Sequence, residues 1–377
     1  MLSAYKRLFS SLVFAALVFI PVAVFSGRIV SREISFFYGM AWALFAGGTA
    51  FAAFYTGRVS FFRRIFFSAS ALAFLVHFKF SLFSKVFDAS CFKDTPYCHI
   101  AIAPSFLNYL YQQYLALMSG GWKLWGPLSL VFVWLFATLV IGGAWCSWAC
   151  FYGGIDDGLS ALPKKALLKT VKWGLKLRDF PAALLIFLLL VSFANMLPVY
   201  CLWLCPFKLT GVFLDPDYAL IRKIQYGLMG LALAVLVPGP LLTKKRTFCS
   251  FLCPFGAWQA FWGKLNPFRI SVDALKCTGC LACVEACPMY AIKCGPDAKA
   301  EILSYCNLCG ECLKACAAGG INYSVLGLKT RYIPAGFGKL LNPESFLVFS
   351  ALTLGATFAS LWAPAALRDI VKVVSGQ

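Results

Sequence analysis

The sequence predicts an α-helical integral membrane protein with about seven transmembrane helices and a cysteine-rich α+β module inserted before the last helix. Hydrophobic residues make up 61% of the 377 residues and charged residues only 13%, and the mean hydropathy is +0.78. An ordinary soluble domain carries about 25% charged residues. The second observation is the regular spacing of most of the 17 cysteines, which packing alone does not explain.

Seven apolar runs approach the length of about 20 residues that crosses about 30 Å of hydrocarbon. They cover residues 8–26, 35–56, 65–84, 125–145, 180–200, 224–242 and 344–366. The first run follows two basic residues, as a signal peptide would, but no small-residue cleavage site comes after it, so we interpret it as a helix. The predicted regions are a six-helix membrane domain over residues 1–270, the module over 271–325, and a linker with the C-terminal transmembrane helix over 326–377.

The formal net charge of +19 would suggest a nucleic-acid partner if the protein were soluble. In a membrane protein, loops rich in Lys and Arg stay in the cytoplasm and set the orientation. With a cytoplasmic N-terminus, the inner loops carry the larger share of the basic residues. We therefore expect a multi-pass protein of the cytoplasmic (inner) membrane, with its N-terminus and module in the cytoplasm, its C-terminus outside, and no nucleic-acid partner.

The module contains two cysteine runs of identical spacing. The first run, C-x2-C-x2-C-x3-C-P, is Cys277, Cys280, Cys283 and Cys287, and the second run is Cys306, Cys309, Cys312 and Cys316. Two such runs are typical of a ferredoxin-like module with two [4Fe–4S] clusters, in which the fourth cysteine of each run ligates the other cluster. The expected ligands are therefore set 1, which is Cys277, Cys280, Cys283 and Cys316, and set 2, which is Cys306, Cys309, Cys312 and Cys287.

Zinc is the competing interpretation of these runs, but it leaves the third and fourth cysteines of each run unexplained. Thiolate ligands of this kind also need a reducing compartment, because disulfide formation would remove them. The cytoplasm meets that need. Cys294 belongs to neither run, and we expect a buried free thiol at that position.

Three further cysteine pairs have the spacing C-x3-C at the end of an apolar run. The first pair is Cys146/Cys150, the second pair is Cys201/Cys205 and the third pair is Cys249/Cys253. On a helix, residues four apart are separated by about 5–6 Å at Cβ, whereas a disulfide needs about 3.8 Å. We therefore expect cluster ligation, with the prolines after the second and third pairs ending each helix at its second cysteine.

Each pair supplies two of the four ligands that a [4Fe–4S] cluster needs, so the topology decides which pairs combine. The first and third pairs end helices that run inward, and together they form set 3, a third cluster site at the cytoplasmic face. The second pair ends a helix that runs outward, where Cys91 and Cys98 complete set 4, a fourth cluster site. The competing interpretation is a Cys91–Cys98 disulfide, and His99 is a substitute ligand in either scheme.

Asp156 and Asp157 follow the first pair. We interpret them as a helix N-terminal cap or a solvated turn, and the alternative is a proton relay for quinone chemistry. No P-loop and no nucleophile arrangement stands out in the sequence, so we predict no catalytic residue.

The stretch RTFCSFLCPFGAWQ, followed closely by CTGCLACVEACPM, resembles the family of membrane iron–sulfur proteins that includes NapH, with NosR and CcoG as relatives. The resemblance covers residues 125–325. It implies two membrane C-x3-C-P motifs, which look like the first and third pairs here, although Phe151 stands where proline is usual. It also implies electron transfer between the quinone pool, cytoplasmic-side clusters and a periplasmic redox partner. Set 4 is not part of the family pattern and marks this chain as a variant.

From these observations we expect a membrane electron-transfer subunit of an oxidoreductase complex, which connects a cytoplasmic-side donor or quinol with a periplasmic redox partner. The expected cofactors are [4Fe–4S] clusters in sets 1 to 4, and quinone. The competing functions are an assembly or metal-reducing maturation factor, as in CcoG, and a redox sensor.

Overall fold

The structure is a computed structural model that describes residues 2–30, 36–78, 99–121, 127–206, 219–295, 297–325, 328–329 and 343–375. Within these ranges, five helices are long and apolar enough to cross a membrane: Arg7–Gly27, Phe36–Thr56, Val59–His77, Val131–Trp148 and Ala219–Thr243. Two more helices, Glu344–Ala359 and Ala363–Ser375, meet at a bend of 52° and count as a sixth span if they cross together. The helical membrane region that the composition predicts is therefore present.

The predicted count of seven spans is not confirmed. The fifth run forms a helix of only 16 residues, Phe180–Asn195, which ends where Met196 adopts the left-handed conformation. At 1.5 Å per residue this helix is about 24 Å long, which is shorter than the hydrocarbon core. The third helix begins at Val59, earlier than predicted, because Arg63 and Arg64 lie inside it and pair with carboxylates of the protein.

In chain order, the helices are α1 Leu2–Val24, α2 Phe36–Thr56, α3 Val59–His77, α4 His99–Ile102, α5 Phe106–Met118, α6 Pro127–Ile141, α7 Trp145–Trp148, α8 Phe151–Ala161, α9 Val171–Lys176, α10 Phe180–Asn195, α11 Val199–Trp203, α12 Ala219–Leu236, α13 Pro238–Thr243, α14 Thr247–Phe251, α15 Pro254–Trp262, α16 Ala282–Ala286, α17 Glu311–Ala315, α18 Pro343–Ala359 and α19 Ala363–Ser375. The strands are β1 Phe268–Val272, β2 Ile292–Cys294, β3 Ala300–Ile302, β4 Ile321–Val325 and β5 Leu328–Lys329.

The first three helices pack together, and the C-terminal helices α18 and α19 lie against them. Two buried indole N–H groups fix this contact. Trp42 donates to the carbonyl of Ala356 at 2.9 Å, and Trp362 donates to the carbonyl of Ser70 at 3.0 Å. Helix α8 packs along α3, and α10 packs against α15. The two ends of the chain are therefore part of one helical bundle.

The cysteine-rich segment forms the predicted α+β ferredoxin-like module. Strand β1 pairs antiparallel with β4 over its full length, and β2 pairs antiparallel with β3. The third cysteine of each run lies in a short helix, Cys283 in α16 and Cys312 in α17. Because β1 begins at Phe268 and pairs with β4, the module begins slightly before the predicted boundary at residue 271.

Buried charges join the membrane helices to the module. The Asp157 carboxylate of α8 pairs with the Arg246 guanidinium at 2.6 Å and with that of Arg63 at 3.0 Å. Arg63 and Arg64 also pair with Glu311 of the module, at 3.4 and 3.2 Å. Burial alone would raise the pKa of Asp157, but the three arginines outweigh burial and hold that pKa below its usual range. These five residues are called the Asp157 network below.

Asp156 and Asp157 are thus neither a helix cap nor a solvated turn, and that prediction is wrong. Both carboxylates are completely buried in the middle of α8. Asp156 accepts the backbone N–H of Cys249 at 2.8 Å. The prediction failed because the partners of both side chains come from segments that are distant in sequence.

The variant Asp157→Asn removes one charge and nearly preserves the size of the side chain. It leaves the Arg246 guanidinium buried without its carboxylate, and breaking a buried ion pair in this way costs about 3–5 kcal/mol. We expect a clearly lower unfolding temperature of the detergent-purified protein. The control is Glu301→Gln, which breaks an exposed pair with Lys293 and should cost less than about 1 kcal/mol. Equal unfolding temperatures for the two variants would contradict the importance of the network.

Candidate iron–sulfur sites

Set 1 lies at the surface of the module. Its four members, Cys277, Cys280, Cys283 and Cys316, line one common cavity, although Cys316 comes from the second run. Cys283 is buried, whereas Cys280 is exposed. The structure therefore brings together the four cysteines that the spacing assigns to this set and leaves one edge of the site open to solvent.

Set 2 lies on the side of the module that faces the membrane helices. Cys312 lies near Cys309, Cys306 and Cys287, and also near Cys283 of set 1, while Arg246 of the Asp157 network is close to Cys309. The fourth cysteine of the first run, Cys287, therefore lies close to the cysteines of the second run.

The two runs fold as near-repeats of each other. The backbone N–H of Ala291 donates to the Cys287 sulfur, and the backbone N–H of Gly320 donates to the Cys316 sulfur, each at 3.3 Å. In both runs the donor lies four residues after the fourth cysteine. Such N–H groups stabilise a thiolate, which is the form that binds iron.

Set 3 combines two chain segments of similar local structure. Cys146 lies in the one-turn helix α7 and Cys249 in the one-turn helix α14, while Cys150 and Cys253 follow in extended conformation at the start of the next helix. Cys249 has Cys253 and Cys150 as electrostatic neighbours, and Cys253 has Cys146. The structure therefore brings the first and third pairs to one place.

The proline after the third pair begins a helix and does not end one. Pro254 lies in the first turn of α15, where its fixed φ suits the helix and its missing N–H is not needed. The chain breaks before it because Cys253 is extended, with φ −87° and ψ 106°. Phe151 occupies the equivalent position at the start of α8. This geometry therefore does not require the proline of the family motif.

The second pair lies next to set 3, separated from it by one side chain. The hydroxyl of Tyr152 is 3.4 Å from the Cys205 sulfur, and its ring stacks on Phe248 with centroids 4.9 Å apart. Tyr152 comes two residues after Cys150, and Phe248 directly precedes Cys249. A buried tyrosine thus connects the second pair with both segments of set 3.

The second pair is predicted at the membrane face opposite set 3, but in the structure the two lie closer together than the thickness of a membrane. Helix α12 contacts α11, which carries Cys201, through Gln225, and it contacts α14 through Val235. Ten residues of helix between these contacts correspond to about 15 Å along its axis. Cys91 and Cys98, the predicted partners of the second pair in set 4, lie outside the described residues.

His99 belongs beside set 3 and not beside the second pair, so its predicted location is wrong. Its Nε2 is 3.0 Å from the Cys150 sulfur. The imidazole is buried among Trp145, Phe151 and Phe255, which meet it edge to face. Burial lowers the pKa of His99 to about 3, so the ring is neutral. A neutral imidazole at this distance can donate a hydrogen bond to the sulfur.

Buried N–H donors without an acceptor lie around sets 2 and 3. Asn307 directly follows Cys306, and Trp145 directly precedes Cys146. Arg178 lines the same cavity as these two cysteines. The donors without a hydrogen-bond partner among the described residues are Asn307 Nδ2, Trp145 Nε1 and Arg178 Nε. Burial also raises the pKa of the Cys306 thiol to about 12, so this thiol would stay protonated without a metal. Iron favours the thiolate, and the sulfides of a cluster accept hydrogen bonds. The residues present therefore fit [4Fe–4S] groups.

Sets 2 and 3 are held together by close contact between backbones. A Cβ atom at Gly143 would collide with the carbonyl oxygen of Cys306, so this approach requires glycine. Next to it, the hydroxyl of Ser147, between the two cysteines of the first pair, donates to the carbonyl of Asn307 at 2.7 Å. The module therefore lies directly against the segment that carries the first pair.

Cys294 is exposed on β2, so the prediction of a buried thiol is wrong. The reason is local, because β2 and β3 form a separate two-stranded sheet whose outer face is open to solvent.

Comparisons with known families identify iron–sulfur domains in the same segments. A family model described as a 4Fe-4S binding domain matches residues 124–170, 180–224 and 226–272, and a second model with that description matches residues 270–293. Each of the first three segments contains one C-x3-C pair. The second pair is therefore matched in the same way as the first and third pairs.

Several relatives share this region. The chain is 24% identical over 244 residues to the putative electron transport protein YccM of Escherichia coli, an alignment that covers 62% of this chain and 63% of YccM. It is 29% identical over 200 residues to the ferredoxin-type protein NapH of Haemophilus influenzae, covering 50% of this chain and 65% of NapH. It is also 29% identical over 202 residues to the regulatory protein NosR of Pseudomonas aeruginosa, covering 51% of this chain and 27% of NosR.

The alignments thus span slightly less than two thirds of the length of YccM and NapH. No solved structure matches the chain. The relatives and the domain matches together confirm the resemblance that the cysteine motifs indicate.

The variant Gly143→Ala tests the contact between sets 2 and 3. The added methyl group would force the backbone at Cys306 away, and overpacking of this kind costs about 1–3 kcal/mol. We expect a lower unfolding temperature and increased exposure of the module to protease. The control is Gly230→Ala on α12, where a Cβ meets nothing within 4 Å and alanine should be neutral or stabilise by about 0.4–1 kcal/mol. A Gly143→Ala protein as stable as the control would show that the close contact is not required.

Proposed function

Because this chain is related to the membrane ferredoxin-type iron–sulfur proteins, we propose that it is an electron-transfer subunit of an oxidoreductase complex in the cytoplasmic membrane. Its partners would be a donor or quinol on the cytoplasmic side and a redox protein on the periplasmic side. When bound, [4Fe–4S] clusters supply one-electron carriers. Sets 1, 2 and 3 would hold three of them, and the second pair with Cys91 and Cys98 would hold a fourth.

The observation that carries this proposal is the contact between successive sets. Sets 1 and 2 exchange their fourth cysteines within the module. Set 2 meets set 3 where Gly143 lies against Cys306. Set 3 is connected to the second pair through Tyr152 and its contact with Cys205. A relay needs closely spaced carriers, and this order leads from the surface of the module into the membrane helices.

The burial of the sets changes in the same order. Cys280 of set 1 is exposed, whereas Cys150 and Cys249 of set 3 are buried. Aromatic side chains and His99 lie around Cys150 of set 3. Hydrogen bonds to sulfur together with burial are what set the potentials of such sites. The exposed end is therefore suited to a soluble partner, and the buried end is protected from water and oxidants.

The relatives support the same function. YccM is described as a putative electron transport protein and NapH as a ferredoxin-type protein. A quinol as the electron donor is implied by the resemblance and not by any contact in the described residues.

Anaerobic iron analysis of the purified full chain separates the sets. At four irons per cluster, the protein should contain about 16 irons with all four sets loaded, about 12 without set 4, and about 8 with the module alone. The double variant Cys201→Ser, Cys205→Ser should lose about four irons, and the control Cys294→Ser should lose none. Full iron content in the double variant would contradict a cluster at set 4. About 8 irons in the unmodified protein would contradict a cluster at set 3 as well.

Electron transfer across a membrane is tested in proteoliposomes that enclose ferricyanide. An impermeant low-potential reductant added outside should reduce the enclosed acceptor much faster than in protein-free vesicles. The variant Cys253→Ser, which removes a ligand of set 3, should abolish this increase, while Cys294→Ser should preserve it. A Cys253→Ser protein that still reduces the enclosed acceptor at the original rate would contradict the relay.

A further inference from the structure

Arg178 is a buried cation that forms no salt bridge with the described residues. It lies just before α10 and is only 4% exposed. Its Nη1 donates to the carbonyl of Ser250 at 3.0 Å, whereas its Nε has no acceptor, and the guanidinium forms no salt bridge in the part of the chain that the structure describes. Burial lowers the pKa of Arg178 to about 10, so the side chain stays charged at neutral pH. A buried charge without compensation is strongly unfavourable, so a negative group must be close.

The contacts of Arg178 lead to both membrane-facing sets. Ser250, which accepts its hydrogen bond, directly follows Cys249 of set 3. On the other side, the guanidinium lies over the ring of Tyr305, 3.9 Å from its centroid, and Tyr305 directly precedes Cys306 of set 2. The side chain is therefore fixed between a residue next to one set and a residue next to the other.

A cavity of about 200 Å³ confirms this intermediate position. Arg178 lines it together with Cys146 of set 3, Cys306 of set 2 and Asn307. No Asp or Glu is among the residues that line it. The neighbouring Asp179 carboxylate also acts on Arg178, but it is exposed to solvent and accepts from the Tyr305 hydroxyl at 3.4 Å. The buried negative charge that faces Arg178 from within the cavity must then come from the sulfur ligands. Four thiolates outweigh the positive charge of a cluster core, so each loaded set is an anion.

We propose that Arg178 is a positioning residue shared by sets 2 and 3, a buried cation that raises the reduction potentials of both clusters together. The proposal rests on the proposed function, because it requires that set 3 is loaded. Reduction adds a negative charge to a site, and a fixed cation at short distance stabilises the reduced form. A cation between two sites stabilises both reduced forms, so it raises both potentials without driving them apart.

The test is an anaerobic redox titration of the full-length protein, followed by electron paramagnetic resonance. Signals are assigned to the sets by their loss in single Cys→Ser variants. Arg178→Gln removes the charge and keeps a donor for the Ser250 carbonyl, Arg178→Lys keeps the charge, and Asn307→Asp keeps Arg178 but adds a carboxylate to the same cavity. The matched control is Arg368→Gln on α19, whose guanidinium pairs with the neighbouring Asp369.

We expect Arg178→Gln and Asn307→Asp to shift the midpoint potentials of the set 2 and set 3 signals to more negative values, while the set 1 signal stays in place. Arg178→Lys should restore most of the shift, and Arg368→Gln should have no effect. If Arg178→Gln loses iron, the Asn307→Asp variant tests the proposal in its place, because its carboxylate offsets the charge of Arg178 in the same cavity. Unchanged potentials of the set 2 and set 3 signals in that variant would overturn the proposal.

Unchanged potentials in Arg178→Gln with full iron content would overturn the proposal, and so would a shift of only one of the two signals. An Arg178→Lys variant that shifts as far as Arg178→Gln would show a structural role for the guanidinium and not a role of its charge. These outcomes differ from a failure of the proposed function, which would appear in the unmodified protein as about 8 irons and no set 3 signal.

Discussion

The buried Asp157 carboxylate is the interaction on which the arrangement of the sites depends. It holds Arg246 at the start of α14 and Arg63 of α3 at one point. Arg246 in turn donates from its side chain to the carbonyl of Cys146 at 3.3 Å and from its backbone to the carbonyl of Pro288 at 2.9 Å. One arginine therefore fixes the first pair, the third pair and the first run of the module relative to one another. Because each of these charges is costly to bury alone, a displaced module would leave several of them without partners. The network thus specifies one docking position as well as contributing to stability.

The cysteine spacing predicted the fourfold grouping in sets 1 and 2 because these ligands are close in sequence, and a cluster requires them to fold around a small object. It did not predict His99, Asp157 or Arg178, since each acts on a partner that is at least 50 residues away. A partial signal was present for the network. Adjacent acidic residues follow the first pair, and adjacent arginines lie in an apolar helix. Burying either group costs free energy unless the two groups form ion pairs with each other. Helix lengths were less predictable, because a hydropathy window ends a span at Arg63 and Arg64, whereas their ion pairs allow the helix to continue.

The structure also shows why the membrane motif tolerates substitution of its proline. What the motif provides is a one-turn helix, an extended second cysteine and a new helix that starts directly after it, and this geometry occurs with Phe151 as well as with Pro254. The extended cysteine turns the chain so that two such segments can present four sulfurs to one place. Glycine at position 143 then allows the module to approach the first of these segments closely. The ligands of set 3 are therefore positioned by backbone geometry, and the aromatic residues and His99 around them determine their environment.

The second pair extends the same construction further into the membrane helices. Its sequence is matched by the domain model that also matches the first and third pairs, and Tyr152 reaches it directly from set 3. Along α12 its contact lies about 15 Å from that of the third pair, which is half of a hydrocarbon core of about 30 Å. Sites confined to one face of a membrane leave nearly the whole thickness to be crossed in one step. Under the proposed relay, the second pair would divide that distance as an intermediate carrier between set 3 and the acceptor. The contact of Cys205 with Tyr152 would then keep the second pair close to set 3, just as Gly143 allows sets 2 and 3 to lie close together.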